Sequence, residues 1–311
     1  MEKLVFLFPG QGSQYVGMGK EIAGQFGEAA EVFAEADRAL GFSLRDVVWG
    51  GPAEQLAQTE ITQPAILTTS VALLRVLEKH GITPTATAGL SLGEYASLVA
   101  AGALRFEKAV CLVRERGRLM QAAVPIGYGA AAAVMGLETQ LVEQTCANVQ
   151  ELGLGLVAIA NYNCPGQVVI AGEAAAVDAA LSKCAALGAK RTVKLPVSAP
   201  FHTALLQGAG EALRAFLAQA DFTPLRLPVV SNVTADYHTD AKLADLLVAQ
   251  VSRPVHFEDS IRRLLADGYR TFVELGPGNS LASFVKRIDK EVKALSIENK
   301  AGLDKLLEAL A

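Results

Sequence analysis

One stretch, residues 86–98, constrains the fold of this chain more than any other. It opens with a short apolar run that predicts the end of a buried strand, and from Gly93 small and apolar residues predict a helix that ends near Ala103. Ser91 falls on the turn between strand and helix. Gly89 and Gly93 flank it at two residues on either side, as a tight corner requires, because a side chain there would collide with the crossing backbone. The pattern is typical of a nucleophile elbow.

The elbow would present Ser91 for chemistry. The corner pushes the hydroxyl group outward, and the following helix directs its unpaired N–H groups and the positive end of its dipole toward the serine. The amide of Leu92 is therefore a candidate donor to a developing oxyanion. A serine in an ordinary turn is the alternative, since two glycines around a serine also arise by chance. The strand and the helix on either side favour the nucleophile.

Composition indicates an α/β protein and argues against several functions. Hydrophobic residues make up 51% of the 311 residues but aromatic residues only 6%, so the core must consist mainly of Ala, Val and Leu. The formal net charge of −4 gives no electrostatic reason to expect nucleic acid as a partner, and no apolar run approaches the roughly 20 residues of a membrane span. The four cysteines lack a C-x-x-C spacing, so the sequence predicts neither a metal site nor a disulfide framework. We expect a cytoplasmic protein.

The order of predicted elements divides the chain into two domains. Residues 1–125 and 198–311 alternate strands with helices, which predicts a large α/β catalytic domain with a mostly parallel, doubly wound, hydrolase-like sheet. Residues 126–197 give the order βαββαβ, the ferredoxin-like pattern of a small inserted domain. A cleft between two domains is a common place for a binding site. The turn predicted at 161–166 includes Asn161, which is either a substrate-binding residue lining that cleft or a plain turn residue.

An arginine on the buried face of a helix is the second informative feature. Arg116 completes the apolar stripe of the helix predicted over Phe106–Ala123, between Val113 and Leu119. An unpaired buried guanidinium is costly, so Arg116 should meet an anion. That anion is either an internal carboxylate or a ligand.

The chain has four histidines that could act as a base for Ser91. His202 is the best placed, because it lies in a loop that follows a predicted strand, whereas His80 ends a helix and His238 lies in a polar turn. No acidic residue is obviously placed to orient His202. The candidates for this task are Asp221, Asp236, Asp240, a backbone carbonyl or an amide side chain.

Six short motifs, in the same order and spread over essentially the whole chain, resemble those of the malonyl-CoA:acyl carrier protein transacylase family. The motifs are Phe8-Pro9-Gly10-Gln11-Gly12-Ser13-Gln14, Thr62-Gln63-Pro64-Ala65, Gly89-Leu90-Ser91-Leu92-Gly93-Glu94, Arg116-Gly117, Ser198-Ala199-Pro200-Phe201-His202 and Gly276-Pro277-Gly278.

The resemblance implies an acyltransferase with a ping-pong reaction. Ser91 would take a malonyl group from malonyl-CoA, and the phosphopantetheine thiol of an acyl carrier protein would remove it, for fatty-acid or polyketide synthesis. By the same resemblance His202 is the base, Arg116 binds the malonyl carboxylate, and the amides of Gln11 and Leu92 form the oxyanion hole. Malonyl-CoA and the carrier protein are then the partners. No cofactor is implied, since coenzyme A enters as the thioester substrate.

Three further positions are interpreted through the resemblance. The main-chain carbonyl of Gln250 would orient His202 in place of an acid. Phe201 resembles the malonyl-selective form of its motif, since a bulky aromatic residue leaves little room for a 2-methyl substituent. Leu90 stands where the commoner family pattern has a histidine. Some members, including plant-type ones, also have leucine there, so we keep the prediction of activity.

Two other functions are compatible with an elbow serine. An acyl hydrolase or esterase would use water as the second acceptor, but it would not need Arg116 on the buried stripe, and the His-Gly oxyanion loop usual in α/β-hydrolases is absent from the sequence. A non-catalytic module that binds carrier proteins would have no need for the candidate catalytic residues together.

A basic cluster near the end of the chain is a candidate docking surface for an acidic carrier protein, with a solvated helix face as the alternative. The cluster consists of Lys286, Arg287, Lys290 and Lys293.

Overall fold

The computed structural model describes residues 3–196 and 199–310, and within them nine strands form two sheets. Ser198 of the fifth motif and the predicted domain boundary at 197/198 lie outside the described residues. The strands are β1 (Leu4–Phe8), β2 (Ala86–Gly89), β3 (Gly129–Met135), β4 (Val157–Cys164), β5 (Gln167–Glu173), β6 (Arg191–Lys194), β7 (Val255–His256), β8 (Thr271–Leu275) and β9 (Lys293–Ile297).

Fourteen α-helices connect and cover these strands in the described part of the chain. They are α1 (Lys20–Gln25), α2 (Gly27–Leu40), α3 (Leu44–Gly50), α4 (Ala53–Leu56), α5 (Thr59–Lys79), α6 (Gly93–Ala100), α7 (Phe106–Ala122), α8 (Thr139–Glu151), α9 (Ala174–Ala186), α10 (Gln207–Leu217), α11 (Leu243–Gln250), α12 (Phe257–Ala266), α13 (Ser280–Ile288) and α14 (Lys300–Leu310). Short 3₁₀ turns, Ala204–Leu206 and Asp240–Lys242, precede α10 and α11.

Sheet A is the parallel sheet of the predicted large α/β domain. Its strand order is β2-β1-β8-β9, and each neighbouring pair is parallel. All five residues of β1 are buried, but Phe6 and Phe8 join the hydrophobic cluster formed with α2, α5 and α7, whereas Val5 and Leu7 join the cluster formed with α12 and α13. Helices therefore cover both faces, which confirms the doubly wound sheet.

Sheet B confirms the predicted ferredoxin-like unit. Strands β3 to β6 pair antiparallel in the order β6-β3-β5-β4, and α8 and α9 pack on them around one apolar cluster. A fifth strand, β7, comes from much later in the chain and pairs parallel to β4. The domain limits 1–125, 126–197 and 198–311 stay a prediction.

The register of sheet A brings two loops side by side. Phe8 at the end of β1 pairs with Gly89 at the end of β2, so the loops that begin at Pro9 and Leu90 leave the same edge of the sheet. This edge, at the carboxyl ends of parallel strands, is where open α/β sheets bind ligands.

Several local predictions were wrong. The turn predicted at 161–166 is strand as far as Cys164, because residues 161–162 pair with β7 as well as with β5. The run Leu227–Ser231, whose apolar residues predict a strand, forms only two isolated bridges, at Val229 and Val230. Lys286 and Arg287 lie on α13, which ends at Ile288, whereas Lys293 begins β9, so the basic cluster is not one helix face.

Candidate active site

The predicted elbow is present at the end of β2. Ser91 lies between this strand and α6 with φ of 53°, in the left-handed region that few side chains adopt. A Cβ atom at Gly89 would come within 2.0 Å of the carbonyl carbon of Gly93, and one at Gly93 within 1.9 Å of the Phe8 carbonyl oxygen. The close approach of three backbone segments therefore requires both glycines.

A chain of hydrogen bonds runs from Ser91 through His202 to Gln250. The Ser91 Oγ lies 2.7 Å from His202 Nε2, and His202 Nδ1 lies 2.7 Å from the main-chain carbonyl oxygen of Gln250. A carbonyl oxygen can only accept, so Nδ1 carries the proton and donates it. The lone pair of Nε2 then faces the serine hydroxyl, which is the arrangement of a nucleophile and its general base.

The acidic residues considered as partners for His202 lie elsewhere. Asp221 pairs with Lys108, Asp236 with Arg263, and Asp240 accepts a hydrogen bond from the backbone amide of Leu225. The contact that the resemblance implied, from His202 to the Gln250 carbonyl, is the one that the structure contains.

His202 is set up to stay neutral. It is buried, and burial, followed by the nearby positive charge of Arg116, lowers its pKa from 6.5 to about 4. The hydrogen bond to the Gln250 carbonyl favours the protonated form and opposes this shift only in part. His202 itself has φ of 62°, so two of the four non-glycine residues with positive φ in the described chain, Ser91 and His202, belong to this site.

Arg116 reaches the same serine from α7. Only 1% of its surface is exposed, and its Nη2 donates hydrogen bonds to Ser91 Oγ at 3.0 Å and to Gln250 Oε1 at 2.9 Å. Its Nη1 donates to Gln63 Oε1 at 2.8 Å, and the guanidinium lies 5.4 Å from the ring centre of Tyr95. These are neutral acceptors. Among the described residues no salt bridge to Arg116 is found, so no carboxylate pairs with it directly and its donors remain available to a ligand.

Three other predicted site residues, Gln11, Leu92 and Phe201, lie on segments that lead into the elbow or precede His202. A Cβ at Gly10 would lie 2.5 Å from the Leu90 carbonyl oxygen, so the backbone before Gln11 packs directly on the elbow, and Leu92 follows in the elbow as the residue before α6. Phe201 precedes His202, is half-buried and packs against the cluster of α2, α5 and α7.

Asn161 does not join the centre. It lies in β4, where it pairs with Val169 and Val255, and the hydrogen bonds of the described residues do not link its side chain to Ser91 or Arg116.

Sequence reasoning missed a second layer of buried polar residues. Asn232 Oδ1 accepts a hydrogen bond from the Ser91 amide at 2.6 Å, and Glu94 contacts both His238 and Gln250. The motifs quoted above include Glu94 and Gln63, and a polar residue within a buried helix was the available signal. Nothing local marked Asn232 or His238, because Ser91 and Glu94, which they contact, lie more than 130 residues away.

Two negative findings apply to the described residues alone. Within 3–196 and 199–310, no group of three or more His, Cys, Asp or Glu side chains is arranged to hold a metal ion. Over the same residues, every helix is too short or too polar to cross a membrane.

Comparisons with known proteins point to one family. The family model described as acyl transferase domain matches residues 5–305. A malonyl CoA-acyl carrier protein transacylase of Bacillus subtilis (strain 168) is 45% identical over 311 residues, covering 100% of this chain and 98% of that protein.

Solved structures agree with this match. The crystal structure of a malonyl CoA-acyl carrier protein transacylase from Clostridium perfringens superimposes with a TM-score of 0.95 at 43% identity, over 99% of this chain and 97% of that one. A malonyl-transacylase solved in complex with its type II PKS acyl-carrier protein gives 0.96 at 40% identity, over 99% and 100%. The chain therefore belongs to the acyl transferase family, among the malonyl CoA-acyl carrier protein transacylases.

Proposed function

We propose that this acyltransferase moves a malonyl group from malonyl-CoA to the phosphopantetheine thiol of an acyl carrier protein, with Ser91 as the covalent carrier. The observation that carries the assignment of residues is the contact of Ser91 Oγ with both His202 Nε2, at 2.7 Å, and Arg116 Nη2, at 3.0 Å. A base and a cation thus converge on one hydroxyl group.

In the first half of the reaction Ser91 Oγ attacks the thioester carbonyl of malonyl-CoA. His202 Nε2 accepts the serine proton, and the amides of Gln11 and Leu92 are proposed to hold the oxyanion. The carbon–sulfur bond then breaks, and the protonated imidazole gives its proton to the leaving thiolate of coenzyme A. Malonyl-Ser91 remains.

The second half repeats these steps with another thiol. His202 accepts the proton of the phosphopantetheine thiol, whose sulfur attacks the malonyl ester, and the proton returns to Ser91 Oγ as the ester bond breaks. The Gln250 carbonyl orients His202 throughout, because it accepts a hydrogen bond from the Nδ1–H group in both the neutral and the protonated imidazole.

Arg116 is proposed to select substrates that carry a free carboxylate. A guanidinium offers a planar pair of donors that matches a carboxylate in two parallel hydrogen bonds. Its present partners are amide and hydroxyl oxygens, which compete weakly with a charged ligand. Phe201 is proposed to limit the size of the group at the malonyl 2-position. Asn161, in β4, is proposed to line the cleft between the two sheets without contact to the reacting atoms.

We also propose that nucleophile, base and charge all come from side chains, so that the reaction needs no resident cofactor.

A cytoplasmic location fits the four cysteines, all of which are free thiols, as is usual in a reducing compartment. Cell fractionation with an antibody to the chain tests the location.

Intact-protein mass spectrometry after incubation with malonyl-CoA tests the proposed reaction. We expect a stable malonyl adduct on the wild type, none on Ser91→Ala, and acylation slowed by about 10²–10⁴-fold in His202→Ala. An adduct that decays in water at the rate at which it forms would indicate a hydrolase. Absence of any adduct on the wild type would indicate a binding module.

A further inference from the structure

Glu94 is a buried carboxylate that the reaction above does not use. It lies in the first turn of α6, three residues after Ser91, and its side chain has no exposed surface. It accepts hydrogen bonds from His238 Nε2 at 2.5 Å, from the Asn232 backbone amide at 2.9 Å and from Gln250 Nε2 at 2.8 Å. Three donors, two from the loop at 232–238 and one from the end of α11, thus converge on one side chain.

The contacts of His238 leave Glu94 with its negative charge. His238 is buried, its Nε2 faces the carboxylate, and its Nδ1 meets no hydrogen-bond partner among the described residues. A second proton on Nδ1 would be a buried donor without an acceptor, which is costly. The geometry therefore fits a neutral His238 that donates from Nε2 to a charged Glu94.

Gln250 connects this carboxylate to Arg116. Its side-chain Nε2 donates to Glu94, so its Oε1 faces the other way and accepts from Arg116 Nη2. The reversed amide would place donors against the donors of the guanidinium. Glu94, together with the Ser91 main-chain carbonyl oxygen, which accepts from the same Nε2 at 3.0 Å, therefore decides which end of the Gln250 amide faces Arg116.

Asn232 connects the same carboxylate to the elbow. Its backbone amide donates to Glu94, its Oδ1 accepts from the Ser91 amide, and its Nδ2 donates to the Gly89 carbonyl at 2.6 Å. One carboxylate therefore anchors the residues that hold both the serine loop and the arginine.

We propose that Glu94 is a positioning residue for malonyl selection: through Gln250 it holds the guanidinium of Arg116 at the bond-forming serine, and it supplies the buried negative charge that offsets Arg116 while no substrate is bound. The inference rests on the carboxylate-binding role proposed for Arg116. Glu94 touches no reacting atom.

The test is the ratio of kcat/KM for malonyl-CoA to that for acetyl-CoA, measured as the rate of Ser91 acylation. Glu94→Gln keeps the shape but turns one acceptor into a donor facing other donors, so the Gln250 Nε2 loses its charged acceptor and the amide is held less firmly. We expect kcat/KM for malonyl-CoA to fall about 10²-fold, the effect of a misplacement of about 1 Å, and acetyl-CoA to lose far less. Glu94→Asp, which keeps the charge on a shorter side chain, should recover part of the ratio.

Glu274→Gln is the matched control. Glu274 is also a fully buried carboxylate and also accepts from a backbone amide, that of Ala282, but it contacts the start of α13 and none of the site residues. It should leave the ratio unchanged. A purely structural role for Glu94 would lower both acyl-CoA rates together, as a loss of folded protein does.

A second variant keeps the inference testable if Glu94→Gln fails to fold. Gln250→Met retains the main-chain carbonyl that orients His202 but removes the link between Glu94 and Arg116, so its ratio should also fall. The double variant should lose no more than the worse single variant, because both changes break one connection. The inference would be overturned if the loss in the double variant equalled the product of the two single losses. It would also be overturned if folded Glu94→Gln or Gln250→Met kept the wild-type ratio.

Arg116→Ala distinguishes a failure of the role proposed for Glu94 from a failure of the role proposed for Arg116. If Arg116→Ala leaves the ratio unchanged, the role proposed for Arg116 is wrong. If Arg116→Ala lowers the ratio and Glu94→Gln does not, the role of Arg116 stands and that of Glu94 fails.

Discussion

A histidine base that is buried beside a cation stays neutral, and so can still accept a proton, down to an unusually low pH. Burial and the charge of Arg116 lower the pKa of His202 to about 4. The neutral imidazole, which can accept the serine proton, therefore predominates above about that pH. We expect kcat/KM for acylation by malonyl-CoA to stay level from about pH 8 to about pH 5 and to fall only near pH 4, since this profile reports the free enzyme.

Arg116→Ala provides the comparison for this pH profile. It removes one of the two causes that lower the pKa of His202, so the acid limb should move to higher pH in this variant. Circular dichroism at each pH distinguishes protonation of the base from acid unfolding. A wild-type limb near pH 6.5, the ordinary value for histidine, would contradict the prediction.

The sequence identified the residues at the bond-forming atoms better than those behind them. Ser91 is marked by its glycines and Arg116 by its place on an apolar stripe, and both signals are local. His238 was interpreted as part of a polar turn, yet it is buried against Glu94, 144 residues away. A polar residue in a loop has no periodic pattern to show that it is buried, so contacts of this kind cannot be read from sequence.

At the scale of elements, the packing of α7 on α5 depends on one glycine. A Cβ at Gly117 would lie 2.6 Å from the Thr59 carbonyl oxygen and 2.9 Å from the Glu60 Cα, so the two helices touch through backbone. Gly117→Ala must separate them, and it should lower the free energy of unfolding by about 1–3 kcal/mol, as overpacking does. Because Arg116 is the preceding residue, acylation by malonyl-CoA should slow as well.

Gly208→Ala is the control for this helix contact. Gly208 also lies within a helix, α10, but a Cβ there meets nothing within 4 Å. We expect this variant to raise the free energy of unfolding by about 0.5–1 kcal/mol, because alanine loses less backbone freedom on folding. Urea denaturation of both variants measures the difference. Equal effects would mean that the contact at Gly117 relaxes without cost.

Elements with a strong local pattern were predictable, and elements completed by distant partners were not. The apolar run that begins at Ile61 and ends at His80, before Gly81, predicts a long helix, and α5 begins and ends within two residues of these limits. By contrast β4 continues to Cys164 because β7, nearly 100 residues later, pairs beside it, and Tyr162 stacks on His256 with ring centres 5.0 Å apart. The polar sequence at 161–166 favours a turn when it is read alone.

At the scale of the whole molecule, the layer architecture followed from the order of elements. Alternating strands and helices predicted the parallel sheet, and the βαββαβ order predicted the small one. The hydrogen bonds that connect the two sheets could not be predicted from the order of elements. Arg287 on α13 donates to the Pro165 carbonyl at 2.7 Å and to Gln167 Oε1 at 2.6 Å, and so ties the helix that covers sheet A to the hairpin of sheet B.

The central position of β1 sets the order in which the chain can fold during its synthesis. β1 is made first, but its neighbour β8 begins only at Thr271, whereas the four antiparallel strands of sheet B are complete at Lys194. We expect chains stalled on the ribosome after β6 has emerged to protect residues 129–194 from protease while the β1 segment is still cut; equal protection of both segments would contradict this order. One edge of an apolar strand thus stays unpaired while most of the protein is translated, and such an edge can pair with strands of other chains.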